Sequence, residues 1–250
     1  MPEALAAALA EPGLGWVALG SLIAGLVYGF AGFGAALIFM PVATIFLPPA
    51  LAVAAFSTSA LASLVTVVPG ALRDADRRSV AIMIGACLIF TPLGVMLLRL
   101  APEVAIRTVV CALTLVTLAA LLAGWRVPVR GGWPLKAGVG ALAGITGGST
   151  GLNGPPVILF NLGTDQPVAV TRGNLAVFLT LTSLSFLPQL WVQGLLPPRA
   201  LWIGVVLLVP YALGTFIGVR VFTPDRAVVY KRLAYVLIGA AGIAGLPVWG

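Results

Sequence analysis

Ser149, Thr150 and Asn153 stand in the run "GITGGSTGLNGPP", residues 144 to 156, among glycines and with no charge until Asp165. Neutral hydroxyl and amide donors beside bare backbone N–H groups suit one chemistry best, the binding of an anion at a helix N-terminus. Pro155 and Pro156 are placed to open such a helix. The first half of the chain has a parallel in "GFAGFG", residues 29 to 34, where Gly32 and Gly34 flank a turn and Ala35 opens the next helix. Just beyond it, "FSTSA" at 56–60 offers Ser57, Thr58 and Ser59. Arg172, in "VAVTRGNLAVF" near the start of an apolar segment, brings a fork that can hold two oxygens of one anion; Asn174 follows it. With Gly147 and Gly148 of the second run, these are the candidate substrate-binding residues. Each also has a plain structural role. Ser149, Thr150 and Asn153 can cap or join helices, the hydroxyls of 57–59 can bond back to their own helix, and Arg172 can snorkel to the interface beside Asp165. Gln189, also in a helix, is a weaker candidate of the same kind.

Enzyme chemistry finds little to use. The chain has no histidine, so Ser–His triads, imidazole relays and histidine-ligated metals are excluded, and no cofactor is expected. Glu3, Glu11, Asp74, Asp76, Glu103, Asp165 and Asp225 all lie at or near segment ends, with no pair placed for acid–base work. Cys87 and Cys111 sit inside apolar runs and read as small buried side chains rather than a disulfide.

The solvent around these groups follows from composition. Of the 250 residues 60% are hydrophobic and 8% charged, where soluble domains carry roughly 25% charged residues. This is a polytopic membrane protein with no room for a sizeable soluble domain. The N-terminus carries Glu3 and Glu11 but no basic residue ahead of its apolar run, unlike a signal peptide. The net charge of +7 is spread over short loops, which speaks for membrane orientation rather than nucleic-acid binding.

Sliding the chain by 115 positions lays Gly25, Gly29, Gly32 and Pro41 onto Gly140, Gly144, Gly147 and Pro156. The glycine run therefore has a twin, and the chain divides into repeats at 1–125 and 126–250. The apolar run from about Gly13 to Leu47 is too long for one crossing of a ~30 Å core and too short for two. It reads as a hairpin with its turn at "GFAGFG". The second hairpin has arms at about 136–147 and 155–163, and its tip lies at membrane depth, where bare backbone must face protein or a water-filled cavity. Plain spans are expected at about 50–72, 79–99, 103–125, 167–190, 199–220 and 226–247. Counting each hairpin as in-and-out gives five legs per half and places every Lys and Arg except Arg99, Arg107 and Arg199 on one face, with both termini on the other. An odd number of legs inverts the second half relative to the first. The expected fold is all-α, with two inverted repeats, each a glycine-tipped re-entrant or broken-helix hairpin followed by three transmembrane helices.

The paired glycine-rich motifs, one per half of an apolar chain of this length, resemble those of the sulfite exporter TauE/SafE family, also called the 4-toluene sulfonate uptake permeases. The resemblance covers nearly the whole chain. It implies a multi-pass transporter of the bacterial inner membrane for small sulfur-containing anions such as sulfite, sulfonates or sulfoacetate. Phe33 departs from the pattern, standing where a further glycine is expected. The partners expected are that small organic or inorganic sulfur anion and the lipid bilayer, with no nucleic acid; a homodimer is compatible. The alternatives are an anion channel or passive facilitator, a proton-coupled importer, or a structural subunit without transport activity.

Direction can be read from what the spans lack. No Asp, Glu or His occupies the middle of any expected span, the usual place for a coupling group. A monovalent anion leaving a cell with a negative interior gains roughly 2.3 kcal/mol per 100 mV, so export needs no such group. Flux in proteoliposomes under an imposed potassium-diffusion potential should be electrogenic and follow the voltage outward. Flux that ignores the potential and follows a pH gradient would instead mark proton symport.

Overall fold

The computed structural model describes residues 3–124, 132–164, 166–221, 223 and 227–249. All regular structure among them is helical. Short α1 (Glu3–Leu9) leads into α2 (Leu14–Ala31) and α3 (Ala35–Phe46). An interrupted run follows: α4 (Pro49–Ser59), one 3-10 turn, α5 (Ser63–Thr66) and α6 (Val68–Asp74). The first half closes with α7 (Arg77–Leu100) and α8 (Glu103–Leu122). The second half runs α9 (Trp133–Thr150), α10 (Gly154–Leu162), α11 (Val168–Val192), α12 (Pro198–Val221) and α13 (Ala227–Ala244). By length and composition six of these stretches can cross a membrane: Leu14–Ala31, Pro49–Thr66, Arg77–Leu100, Glu103–Leu122, Val168–Val192 and Pro198–Val221. The most apolar window of Pro49–Thr66 is 72% buried and those of α7 and α8 only 33%. The interrupted segment is therefore central, and α7 and α8 turn large side chains such as Ile89 and Val116 outward, as a helix in lipid does.

Both expected hairpins form. In the first, Gly32 ends α2 and Gly34 begins α3, both in the left-handed region at φ 76° and 94°. Residues with a Cβ adopt that region reluctantly, so "GFAGFG" can make this reversal and few other hexapeptides can. The second hairpin turns later than its sequence suggested. Gly147, Gly148, Ser149 and Thr150 all lie inside α9, and the reversal occupies Gly151 (φ 74°), Leu152 and Asn153. Ser149 Oγ and Thr150 Oγ1 donate to the Ile145 and Thr146 carbonyls at 2.8 and 2.6 Å, keeping the last turn helical.

The glycines inside α9 serve packing. A Cβ on Gly140 or Gly144 would collide with the Met83 or Cys87 carbonyl oxygen of α7, and one on Gly148 would lie 2.6 Å from that of Thr91. Without a hydrophobic drive between helices in lipid, close backbone approach at small residues is what holds such pairs. The first half uses the same device. A Cβ on Gly25 would meet the Tyr211 carbonyl oxygen of α12, and one on Gly29 would lie 2.5 Å from that of Thr215. Each hairpin thus packs its first arm on a long helix of the other half, α2 on α12 and α9 on α7.

The hairpin features recur at a spacing other than the expected 115 positions. Gly25 and Gly144 occupy equivalent places, as do the helix-ending Gly32 and Gly151 and the helix-opening Pro48 and Pro167. All are 119 positions apart (32 to 151), not 115. The difference of four residues is about one helical turn, so it preserves the buried face, and glycines spaced at i, i+4 match equally well in either register.

Two minority cations lie beside the chain's ends: Arg199 pairs with Glu11 at 3.4 Å, and Arg107 Nε donates to the Gly245 carbonyl at 2.8 Å. Lys136, in the first turn of α9, instead donates to Ser79 in the first turn of α7.

Gly144→Val should lower the thermal unfolding temperature of the detergent-purified protein, with a cost on the order of 1–3 kcal/mol or more. Gly85→Ala, where an added Cβ meets nothing within 4 Å, should cost nothing.

Candidate functional site

The two hairpin tips meet. Gly34, Ala35, Ala36 and Leu37 from the first, and Leu152, Asn153, Gly154 and Pro155 from the second, line one cavity of ≈ 20 Å³. Its remaining polar wall comes from Tyr28, Thr180, Ser183 and Tyr211, and no charged side chain among the described residues lines it. Volume of this size holds about one water molecule.

The helix starts at the cavity differ in donor capacity. The N–H groups of an N-cap and the three residues after it have no acceptor in their own helix. For α3 these belong to Gly34, Ala35, Ala36 and Leu37, and the first backbone bond comes from Ile38 N to Gly34 O at 3.2 Å. All four residues line the cavity. For α10 two of the equivalent positions are Pro155 and Pro156, which have no N–H. Donor density therefore concentrates on the first tip, although the second carries the more polar sequence.

Asn153 is held rather than free. Its Nδ2 donates to Thr182 Oγ1 at 2.7 Å, tethering the second tip to α11. Gly147 and Gly148 pack on the Phe186 ring and the α7 backbone respectively, and Ser149 and Thr150 bond back to α9. Thr58 Oγ1 and Ser59 Oγ likewise donate to the Ala54 and Phe56 carbonyls, both at 2.9 Å. Ser57 Oγ is buried with no hydrogen-bond partner among the described residues. Of the hydroxyl run only its neighbours Phe56 and Ala60 reach the cavity wall. Sequence reasoning missed Tyr28, Tyr211, Thr180 and Ser183. A signal existed for Tyr28, a polar ring one residue ahead of "GFAGFG"; none marked Tyr211, some 180 residues away in sequence from that turn.

Arg172 sits beside the first tip, not the second. Its side-chain carbons pack where a Gly32 Cβ would be, and its guanidinium donates to the Gly29 carbonyl at 2.6 Å. It does not line the tip cavity. With Asp74, Gly70, Ala71, Val168 and Ala176 it lines a larger vestibule of ≈ 480 Å³, between the interrupted α5–α6 and the start of α11. The glycine at 173 lets the two backbones close up, since a Cβ there would lie 2.8 Å from the Ala71 carbonyl oxygen.

Asn174 belongs to a polar clamp on the same face. Its Oδ1 accepts the Asp76 backbone N–H at 2.8 Å, and its Nδ2 donates to Gln166 Oε1 at 3.1 Å and Asn161 Oδ1 at 3.3 Å. Asp76 caps α7: Ser79 Oγ and N donate to its carboxylate at 2.6 and 3.1 Å. Those bonds, the side-chain one first, hold the Asp76 carboxyl below its ordinary pKa, with Lys136 assisting. Among the described residues no group of His, Cys, Asp or Glu could hold a metal ion.

Among the described residues the chain is helical, with six stretches able to cross a membrane and two hairpins whose tips line one cavity. The profile of the sulfite exporter TauE/SafE family matches residues 17–245, and the chain belongs to that family. It is a membrane transporter and not an enzyme. No curated protein and no solved structure matches the chain significantly.

The clamp carries a pH signature. A carboxyl with a lowered folded-state pKa stabilises the fold fully above the ordinary value of about 4 and loses that contribution as pH falls through the lowered value. Asp76→Ala should therefore unfold at lower temperature than the parent at pH 7, by a cap's worth of about 0.5–2 kcal/mol. The gap in melting temperature should shrink below about pH 4.

Proposed function

We propose that the protein carries small sulfur oxyanions, such as sulfite, sulfonates or sulfoacetate, across a bacterial inner membrane, and binds them between the two hairpin tips. The observation that carries this reading is the set of four residues whose helix-start N–H groups have no acceptor in α3, Gly34 to Leu37, on the wall of one small cavity between the tips. Such donors favour negative charge without bringing a cation's desolvation cost to the midplane. Tyr211, Thr180 and Ser183 hydroxyls surround the same space and suit oxygen atoms of an anion. Family membership supports the sulfur class, because the charge pattern alone would accept other oxyanions.

A sulfur oxyanion has several heavy atoms and cannot enter ≈ 20 Å³ unless the tips part. That favours a carrier, which opens around its substrate, over an anion channel or passive facilitator. The structural basis is two inverted repeats, 1–125 and 126–250, whose hairpins enter from opposite faces. The hairpin glycines that recur at 119 positions support it, as does the charge split, which sets Arg73, Arg77 and Arg78 inside. Arg172 and the vestibule would then receive the anion on the cytoplasmic face, with the guanidinium concentrating it rather than holding it at the midplane.

Thermal shift across sulfite, sulfoacetate, taurine and sulfate tests the substrate class. A true ligand at a hundred times its Kd stabilises the folded carrier by about 2.7 kcal/mol. The Ala36→Pro variant, which matches Pro155 in the repeat register, removes one N–H in a helix turn that tolerates proline. It should weaken the preferred anion by roughly tenfold or more without lowering the ligand-free melting temperature. Unchanged affinity would move the anion away from the first tip.

A further inference from the structure

A site at the tips needs a way out, and a hydrogen-bonded contact joins its wall to that of the vestibule. Tyr28 lines the tip cavity, and Ala176 lines the vestibule. They are joined: the Tyr28 hydroxyl donates to the Ala176 carbonyl oxygen at 2.9 Å and lies 2.7 Å from Thr180 Oγ1, itself on the cavity wall. The next residue of α2, Gly29, gives its carbonyl to Arg172 of the vestibule. Tyr28 thus stands between the two spaces, its ring fastened to α11 by hydrogen bonds at its tip.

The opposite side is built otherwise. In the register of 119 positions the vestibule residues Val67, Ala71, Arg172 and Ala176 correspond to Phe186, Leu190, Val53 and Ser57. Every one of those counterparts is 0% exposed. Tyr28 itself corresponds to Gly147, and a Cβ there would lie 2.6 Å from Phe186 Cζ. On that side a phenylalanine from α11 fills the place over a bare glycine, with Leu190 buried behind it. Among the described residues these four counterparts are packed rather than open.

We propose that Tyr28 is the gate between the tip cavity and the vestibule, and that the structure is the state in which only this thin gate closes the substrate off from the Arg73, Arg77 and Arg78 face. Its release needs two neutral hydrogen bonds to break and one ring to swing toward open volume. The route on the other face needs Phe186 and Leu190 to leave a packed core, so it opens only with rearrangement of α11 against α7 and α9. The buried Ser57 hydroxyl, without a hydrogen-bond partner among the described residues, is the counterpart of Ala176 and would gain water when that second vestibule forms. The inference rests on the tip cavity being the substrate site, but its test uses no substrate.

The reporter is Ser183→Cys on the cavity wall, in a Cys87→Ala, Cys111→Ala background, reconstituted in proteoliposomes. A membrane-impermeant methanethiosulfonate is applied to one face at a time. Val168→Cys, a position in the vestibule with 80% exposure, marks the vestibule face and must react at the same rate in every variant that is folded. The parent should react slowly at Ser183→Cys from both faces. Tyr28→Phe keeps the ring and removes the hydroxyl, and it should speed modification about fivefold to tenfold, the worth of a neutral hydrogen bond, from the vestibule face only. Thr180→Val should act in the same direction, and decides the matter should Tyr28→Phe fail the Val168→Cys control. Rates unchanged in both variants, or raised equally from both faces, overturn the gate. A sided increase in a protein that none of the sulfur anions stabilises would leave the gate standing and remove the proposed substrate instead.

Discussion

Backbone N–H and C=O groups cannot be left bare in hydrocarbon, and the structure follows from where this chain chooses to break its helices despite that cost. Two reversals, at Gly32–Gly34 and Gly151–Asn153, expose helix ends deep in the fold. They are tolerable only because protein surrounds them. The interrupted α4–α6 and the long α11 supply that cover, which is why they are the most buried of the candidate spans after the hairpins are set aside. The same unsatisfied N–H groups that make the tips costly also make them useful to an anion. In the proposed binding mode, site and constraint are the same set of atoms.

Tight helix pairs make the enclosure possible. The first arm of each hairpin lies against a helix of the other half, with glycine facing carbonyl oxygen along the contact. Neither half can therefore form its enclosed tip alone, because each depends on the other for the helix that flanks its hairpin. Exchange of this kind also links the tips mechanically, since a shift of α12 against α2 moves the helix that carries both Tyr28 and the turn at Gly32. The asymmetry within this frame is chemical. One tip carries four cavity-lining residues with helix-start N–H groups and the other has two of those places taken by proline. One flank is hollow beside Arg172 and the other is filled by Phe186 and Leu190.

Polar residues in the apolar helices divide into three uses. Thr58, Ser59, Ser149 and Thr150 satisfy themselves on their own helix and leave no donor for a ligand. Asn153, Asn174 and Asp76 tie segments together. Tyr28, Thr180, Ser183 and Tyr211 face the cavity between the tips. A hydroxyl in a membrane helix thus carries no functional meaning until its partner is known.

Composition alone determined that this chain lives in a bilayer, and the length of its apolar runs determined that hairpins must interrupt the spans, because hydrocarbon thickness is fixed and helix rise is fixed. Glycine and proline pattern located the first turn, where left-handed backbone leaves few other residues usable. The second turn was misplaced by a few residues, since glycine in α9 serves both reversal and close packing, and sequence does not distinguish the two uses. The 115-position register failed for a related reason: a shift of one helical turn keeps every small residue on the same face. Tertiary structure decided what depends on distant segments. It brought Tyr211 to Gly34, set Arg172 against the first tip rather than the second, and turned Asn174 into a clamp for Asp76. A sequence records which residues can donate, but only the packing of far-apart helices decides which donors are already taken and which ones face an empty space.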